Sequence, residues 1–265
     1  MYGASAGRNI HIFLNRISRC LTTFSFGGSG EGQENTEAYI FRNVIDLRPP
    51  IHRSQPRSPE EPQELADFGR VVGDHGSPIW KPMMIYHNTI LMPDAVWRNY
   101  YGASLGQATR GTRRRVLNNI VAFVKGMPGF NFASAEDDLV VDGNLFWSYA
   151  LGPTYEGDLL QAGRATRIGR RVDWYEASKA RYAPGWTAHD RFADPRFIAF
   201  DPDWTRPSDL RPAQNSPALD AGVDIPAEWP DPLRGQDQGR PDIGAFPLGV
   251  EPPGIGVRGR FSFAC

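Results

Sequence analysis

One local pattern recurs five times in the first 150 residues and leaves few folds open to the chain. An aliphatic residue stands three places before an asparagine and an apolar one two places after it. The asparagines are Asn15, Asn43, Asn88, Asn119 and Asn144. Before them come Ile12, Ile40, Ile85, Val116 and Val141, and after them Ile17, Ile45, Ile90, Val121 and Phe146. Side chains on one face of a strand are an even number of residues apart, and these flanking positions are five apart. A bend at the asparagine resolves the mismatch. Asparagine enters the left-handed backbone region more readily than other non-glycine residues, so it can turn the chain and keep both apolar side chains inside. Its amide also has donors and an acceptor to share with the asparagine of the next layer. The five form the structural ladder of a stacked repeat.

Successive asparagines are 28, 45, 31 and 25 residues apart, so loops of unequal length interrupt a basic unit close to the shortest spacing. A single unit cannot bury its inner face, and stacking supplies the core. The expected fold is therefore all-β: a right-handed parallel β-helix, or solenoid, of five to seven coils with long inserted loops. It fills one domain over 1–248, with coils at 9–150, a loop-rich part at 151–190 and a closing segment at 191–248, followed by a flexible tail at 249–265. The 28 glycines and 23 prolines concentrate between the repeats and after residue 180, as corners and loops require. Two short stretches, Glu60 to Phe68 and Trp174 to Arg181, read as helical.

The formal charge of −1 supplies no field that would draw the chain to nucleic acid. Its longest apolar run, Ile120 to Val124, is too short to span a membrane, and the first residues as written lack the charged start and long apolar core expected of a signal peptide. Two cysteines, Cys20 and Cys265, make no disulfide framework. The first repeat begins at Asn9 without a cover for its end, which suggests that N-terminal coils are missing.

After residue 190 the text changes. Asp194-Pro195-Arg196-Phe197, Ser216-Pro217-Ala218-Leu219-Asp220-Ala221-Gly222 and Asp242-Ile243-Gly244-Ala245-Phe246 follow in turn. This segment resembles the closing portion of bacterial right-handed parallel β-helix proteins of the pectate-lyase-like superfamily, in particular choice-of-anchor Q domain proteins. Pro247 stands where that family often has glutamate. The resemblance implies a secreted or cell-surface, carbohydrate-active protein whose partner is an acidic polysaccharide. It favours a polysaccharide lyase over a glycoside hydrolase, the alternative being a noncatalytic adhesive solenoid that binds glycan or a protein. It also implies that the closing segment finishes the solenoid with a terminal strand at Asp242 to Phe246.

Elimination from a uronic acid needs a cation to neutralise the carboxylate and a base to take the adjacent proton. Lys81, His87, Arg98 and Tyr100 surround the third repeat and are the catalytic candidates. Trp97, Tyr101, Arg113, Lys125 and Trp147 are candidates for substrate binding, the aromatics as stacking surfaces and the cations as carboxylate partners. Asp138 and Asp142 share a face of an extended segment and are candidate ligands for calcium, which takes hard oxygens. Asp142 also occupies the place where the other repeats carry Phe13, Phe41, Tyr86 and Leu117.

Overall fold

The computed structural model describes residues 9–18, 20, 22–26, 37–48, 51–52, 65–66, 70–74, 82–92, 113–124, 138–155, 176–203 and 205–252. These residues are mostly β, with almost no helix. A first parallel sheet takes the strand before each asparagine: β1 (Ile10–Phe13), β4 (Ala38–Phe41), β9 (Met83–Tyr86), β11 (Arg114–Leu117) and β13 (Leu139–Asp142), in that order across the sheet. A second takes the strand after it: β2 (Arg16–Ser18), β5 (Val44–Asp46), β10 (Thr89–Met92), β12 (Ile120–Phe123), β14 (Leu145–Ser148) and finally β15 (Arg191–Phe192).

The register joins the expected columns. Ile12, Ile40, Ile85, Val116 and Val141 are successive partners in the first sheet. In the second, Ile17, Ile45, Ile90, Val121, Phe146 and Phe192 are successive partners. Both columns belong to one core, within which Ile40, Ile45, Ile85, Ile90, Val121 and Val141 are 0% exposed. Each such side chain contributes roughly 1.5–3 kcal/mol of burial free energy, so the stack of layers holds the interior together.

Between the two sheets the backbone bends one residue earlier than the asparagine. The left-handed residues are Leu14 (φ 55°), Arg42 (54°), His87 (49°), Asn118 (55°) and Gly143 (66°). That frees the asparagine for a different task. Each amide donates to the carboxamide oxygen of the next rung: Asn15 to Asn43 (3.0 Å), Asn43 to Asn88 (3.0 Å), Asn88 to Asn119 (2.9 Å) and Asn119 to Asn144 (3.0 Å). That same oxygen accepts the backbone N–H of the preceding rung, as Asn88 Oδ1 does from Asn43 at 3.1 Å. The amides also bind the carbonyls of Ile12, Ile40, Ile85 and Val116 on the neighbouring strand, tying both sheets to one polar spine.

A sixth rung follows. Asp190 Oδ1 accepts the Asn144 backbone N–H at 2.8 Å and its amide at 3.3 Å. Arg191 N–H then donates to the Asn144 carbonyl at 2.8 Å, as Val44, Thr89, Ile120 and Leu145 do to the asparagine carbonyls before them. A carboxylate accepts but cannot donate, which suits the last rung of a one-way ladder.

Three further pairs complete the strands. β3 (Thr22–Phe26) pairs in parallel with β8 (Arg70–Asp74), so the excursion between the second and third asparagines contributes a strand with Val71 and Val72 at 0% exposure. β6 (Ile51–His52) and β7 (Leu65–Ala66) are antiparallel, as are β16 (Phe197–Ala199) and β17 (Asp209–Pro212). Thus Leu65–Ala66, inside the stretch that reads as helical at Glu60 to Phe68, is a strand instead. The helical expectation at Trp174 to Arg181 reduces to one turn at 176–178.

Residues 213–250 form no strand and run along the bends. Asn118 exchanges two side-chain bonds with Val223, and its carbonyl accepts the Gly244 N–H at 2.9 Å. Ala245 N–H reaches Thr89 Oγ1 at 3.0 Å. Asp242 to Phe246 is therefore a lengthwise strap over several layers, where a terminal strand was expected. Its Asp242 carboxylate accepts the N–H groups of Asp220 and Leu248 at 2.7 and 2.9 Å. The strap also covers the outer face of the first sheet: Phe13, Phe41 and Tyr86 stack about 5.0–5.1 Å apart, and Trp229 lies 5.1 Å from Tyr86.

Candidate functional site

Two clusters of ionisable side chains sit at the bends. The first lies under the strap. Arg42, 1% exposed, forms a two-point pair with Asp231 at 3.0 and 2.8 Å, also reaches Asp237 at 3.4 Å, and donates to the Gly244 carbonyl. His87 occupies the same place one layer on and is also 1% exposed. Its Nε2 lies 3.4 Å from the Asn118 amide. Burial holds the imidazole well below its ordinary pKa, and the neighbouring Arg42 charge pushes the same way, so it is neutral at pH 7. Asp237 is raised, first by burial and then by Asp242. A polar cavity of about 190 Å³ is lined by Arg42, His87, Asp231, Arg234 and Asp237 among others. With its cations committed to carboxylates and carbonyls, this cluster locks the strap down. His87, expected as a catalytic residue, is thus a buried side chain on the wall of this cavity.

The second cluster lies at the end of the first sheet. Asp142 closes the column that begins with Phe13, and its side chain is fully buried. Three donors converge on its carboxylate. Tyr182 Oη donates to Oδ2 at 2.7 Å, the His189 backbone N–H donates to Oδ1 at 2.6 Å, and His189 Nδ1 lies 2.6 Å from Oδ2. In a neutral imidazole the ring nitrogen facing a carboxylate carries the proton, which leaves the lone pair on Nε2. His189 keeps 47% of its side chain exposed. Burial and the hydrogen bond to Asp142 raise the Tyr182 pKa far above the ordinary phenol value, so the phenol remains a donor. A buried acceptor and a half-exposed imidazole held in one orientation together suit proton transfer.

The remaining expected residues divide. Lys81, Arg98, Tyr100, Trp97, Tyr101 and Lys125 lie outside the described residues. Arg113 is half exposed, bonds Glu37 at 2.9 Å and lies 3.8 Å from Asp138. Trp147 is 8% exposed and packs 5.3 Å from Phe192, which makes it a core side chain where a sugar-stacking surface was expected. The calcium pair also resolves differently. Asp138 bonds Arg115 at 2.6 Å, and Asp142 is filled by three protein donors. Among the described residues no group of three or more His, Cys, Asp or Glu is placed to hold a metal.

His189 escaped the sequence reading because its rung ends in aspartate and Thr187 replaces the aliphatic residue three places earlier. One signal was present: Phe192 stands two places after Asp190, as the apolar residue does after each asparagine. Comparison with known protein families, curated proteins and solved structures returned no match.

Proposed function

We propose that the chain is a right-handed parallel β-helix protein acting on acidic polysaccharide at the cell surface or outside the cell, by elimination at a uronic acid. The observation that carries this reading is the six-rung ladder from Asn15 to Asp190, with strands in register on both sides of it. Layers repeating at about 4.8 Å offer a line of equivalent positions, which suits a polymer of repeating units. The resemblance of residues 216–222 and 242–246 to the closing portion of pectate-lyase-like proteins supports the same class. Loops of unequal length supply the specificity such a scaffold needs.

The test is incubation of the full chain with polygalacturonate, alginate and chondroitin sulfate, following ultraviolet absorbance of the unsaturated product, with calorimetric binding to the same polymers. Absorbance growth on one polymer is the expected result. Binding without product assigns the noncatalytic adhesive role, and neither binding nor product overturns the carbohydrate reading.

A further inference from the structure

We infer that His189, seated on the buried Asp142 carboxylate, is a proton-transfer centre whose Nε2 receives a proton from bound substrate. The identity of that substrate rests on the carbohydrate reading above; the centre itself rests on geometry. Four observations converge. Asp142 replaces the aromatic and aliphatic side chains of its column, and nothing in the packing of that column calls for a charge: its other members are Phe13, Phe41, Tyr86 and Leu117. A fully buried carboxylate costs several kcal/mol unless it is compensated, and this one is compensated by Tyr182 and by both the backbone and the ring of His189. The two-point hold on His189 fixes the ring and its tautomer together. Finally, the side chain is half exposed, whereas His87, at the equivalent place three layers earlier, is 1% exposed.

The ladder explains why the histidine is held there. Asp190 is bound to Asn144 and Arg191 to the strand β14, so the residue immediately before the last rung cannot drift from the end of β13. Thr187 N–H, bonded to the Val141 carbonyl at 2.6 Å, anchors the other side. Asp142 is thus a positioning residue: it orients the imidazole and stabilises the imidazolium that forms.

On a uronate residue the step balances without a co-reactant. The C5–H bond breaks and its proton passes to Nε2. The freed electron pair becomes the C4=C5 double bond as the C4–O bond breaks, and the imidazolium gives the same proton to the departing oxygen.

The experiment compares the full-length wild type with His189→Gln and Asp142→Asn, after circular dichroism and thermal unfolding establish that each variant folds. On whichever polymer the wild type cleaves, His189→Gln is expected to lower kcat by about 100-fold or more with KM within about threefold. Asp142→Asn is expected to lower kcat and to displace the acid limb of the pH–rate profile, a readout that a purely structural carboxylate leaves in place. A second arm needs no polysaccharide. With p-nitrophenyl acetate, acetyl passes to Nε2 as p-nitrophenolate leaves, and water then releases acetate; the wild type is expected to exceed His189→Gln at least fivefold. If the ester reaction depends on His189 but no polymer is cleaved, the centre stands and the carbohydrate reading falls. The centre is overturned if His189→Gln folds and matches the wild type on the ester, or retains more than a third of its turnover on the polymer.

Discussion

Removing one interior rung measures what the asparagine ladder contributes. Asn88 is 0% exposed, and its amide donates to the Ile40 carbonyl at 2.9 Å and to Asn119 Oδ1 at 2.9 Å. Its oxygen accepts the Asn43 backbone N–H at 3.1 Å. Asn88→Ala deletes all of these, leaving the Asn43 N–H and the Ile40 carbonyl without their side-chain partner in a dry interior. At roughly 1–3 kcal/mol for each buried group left unsatisfied, the expected loss is about 4 kcal/mol. Asn88→Asp keeps the shape and the acceptor but turns the donor into an oxygen that faces three others, those of Ile40, Tyr86 and Asn119, so at pH 7 it is expected to cost at least as much. Protonation restores a donor, and the deficit of the aspartate variant should shrink in acid. Asn15→Ala is the control, because that rung is exposed and water replaces the lost bonds; its cost should stay below about 1 kcal/mol. Urea unfolding gives the free energies, and amide hydrogen exchange at Asn43 reports the local loss directly. A cost below about 1 kcal/mol for Asn88→Ala, with Asn43 still protected, would refute the claim that the ladder fixes the register.

Acid should weaken the protein through His87. Its folded pKa lies below 6.5, so the unfolded chain binds the proton first; the stability is complete above pH 6.5 and falls by about 1.4 kcal/mol per pH unit below it until the folded pKa is reached. The unfolding free energies of wild type and His87→Gln should therefore converge by up to about 2 kcal/mol between pH 6.5 and 5, and a constant gap contradicts the assignment. Gly244→Ala should cost about 3 kcal/mol, since the residue sits at φ +106° and a Cβ would stand 2.7 Å from Ile120 Cδ1. Gly249→Ala, at φ +76° with no described atom within 4 Å of the added Cβ, should cost about 1 kcal/mol, and proteolysis within residues 213–250 will rank the two. Asp231→Ala leaves the 1% exposed Arg42 guanidinium with Asp237 as its remaining carboxylate and should lower stability by about 3 kcal/mol; a drop in melting temperature no larger than that of an exposed Glu176→Ala would count against the lock.

The columns were legible because their signal is local and repeated: an aliphatic residue, a bend and another apolar residue, in every layer. The bend itself reads one residue off. An asparagine in a turn suggests a left-handed backbone, yet the buried amide is worth more as a donor to its neighbours, and Leu14, Arg42 and His87 take the unfavourable φ instead. β8 was hidden in a proline-rich stretch, since its partner β3 is distant in sequence and short strands carry little periodicity. The strap was expected to be a terminal strand because the family resemblance implies one, whereas its bonds go to bend atoms such as the Asn118 carbonyl. As for chemistry, Asp142 stood out by breaking its column, but its partners come from 40 and 47 residues on, and nothing local in the sequence joins Tyr182 and His189 to it.

The one-way order of the rungs has an electrical consequence. Five carboxamides joined donor to acceptor point their dipoles in the same sense, and hydrogen bonds in such a row polarise one another. The row ends with its positive pole on the Asp190 carboxylate, beside His189. The sense of the row therefore sets the field at the end of the stack, and a substitution at Asn144, the rung that meets Asp190, will be felt beside His189.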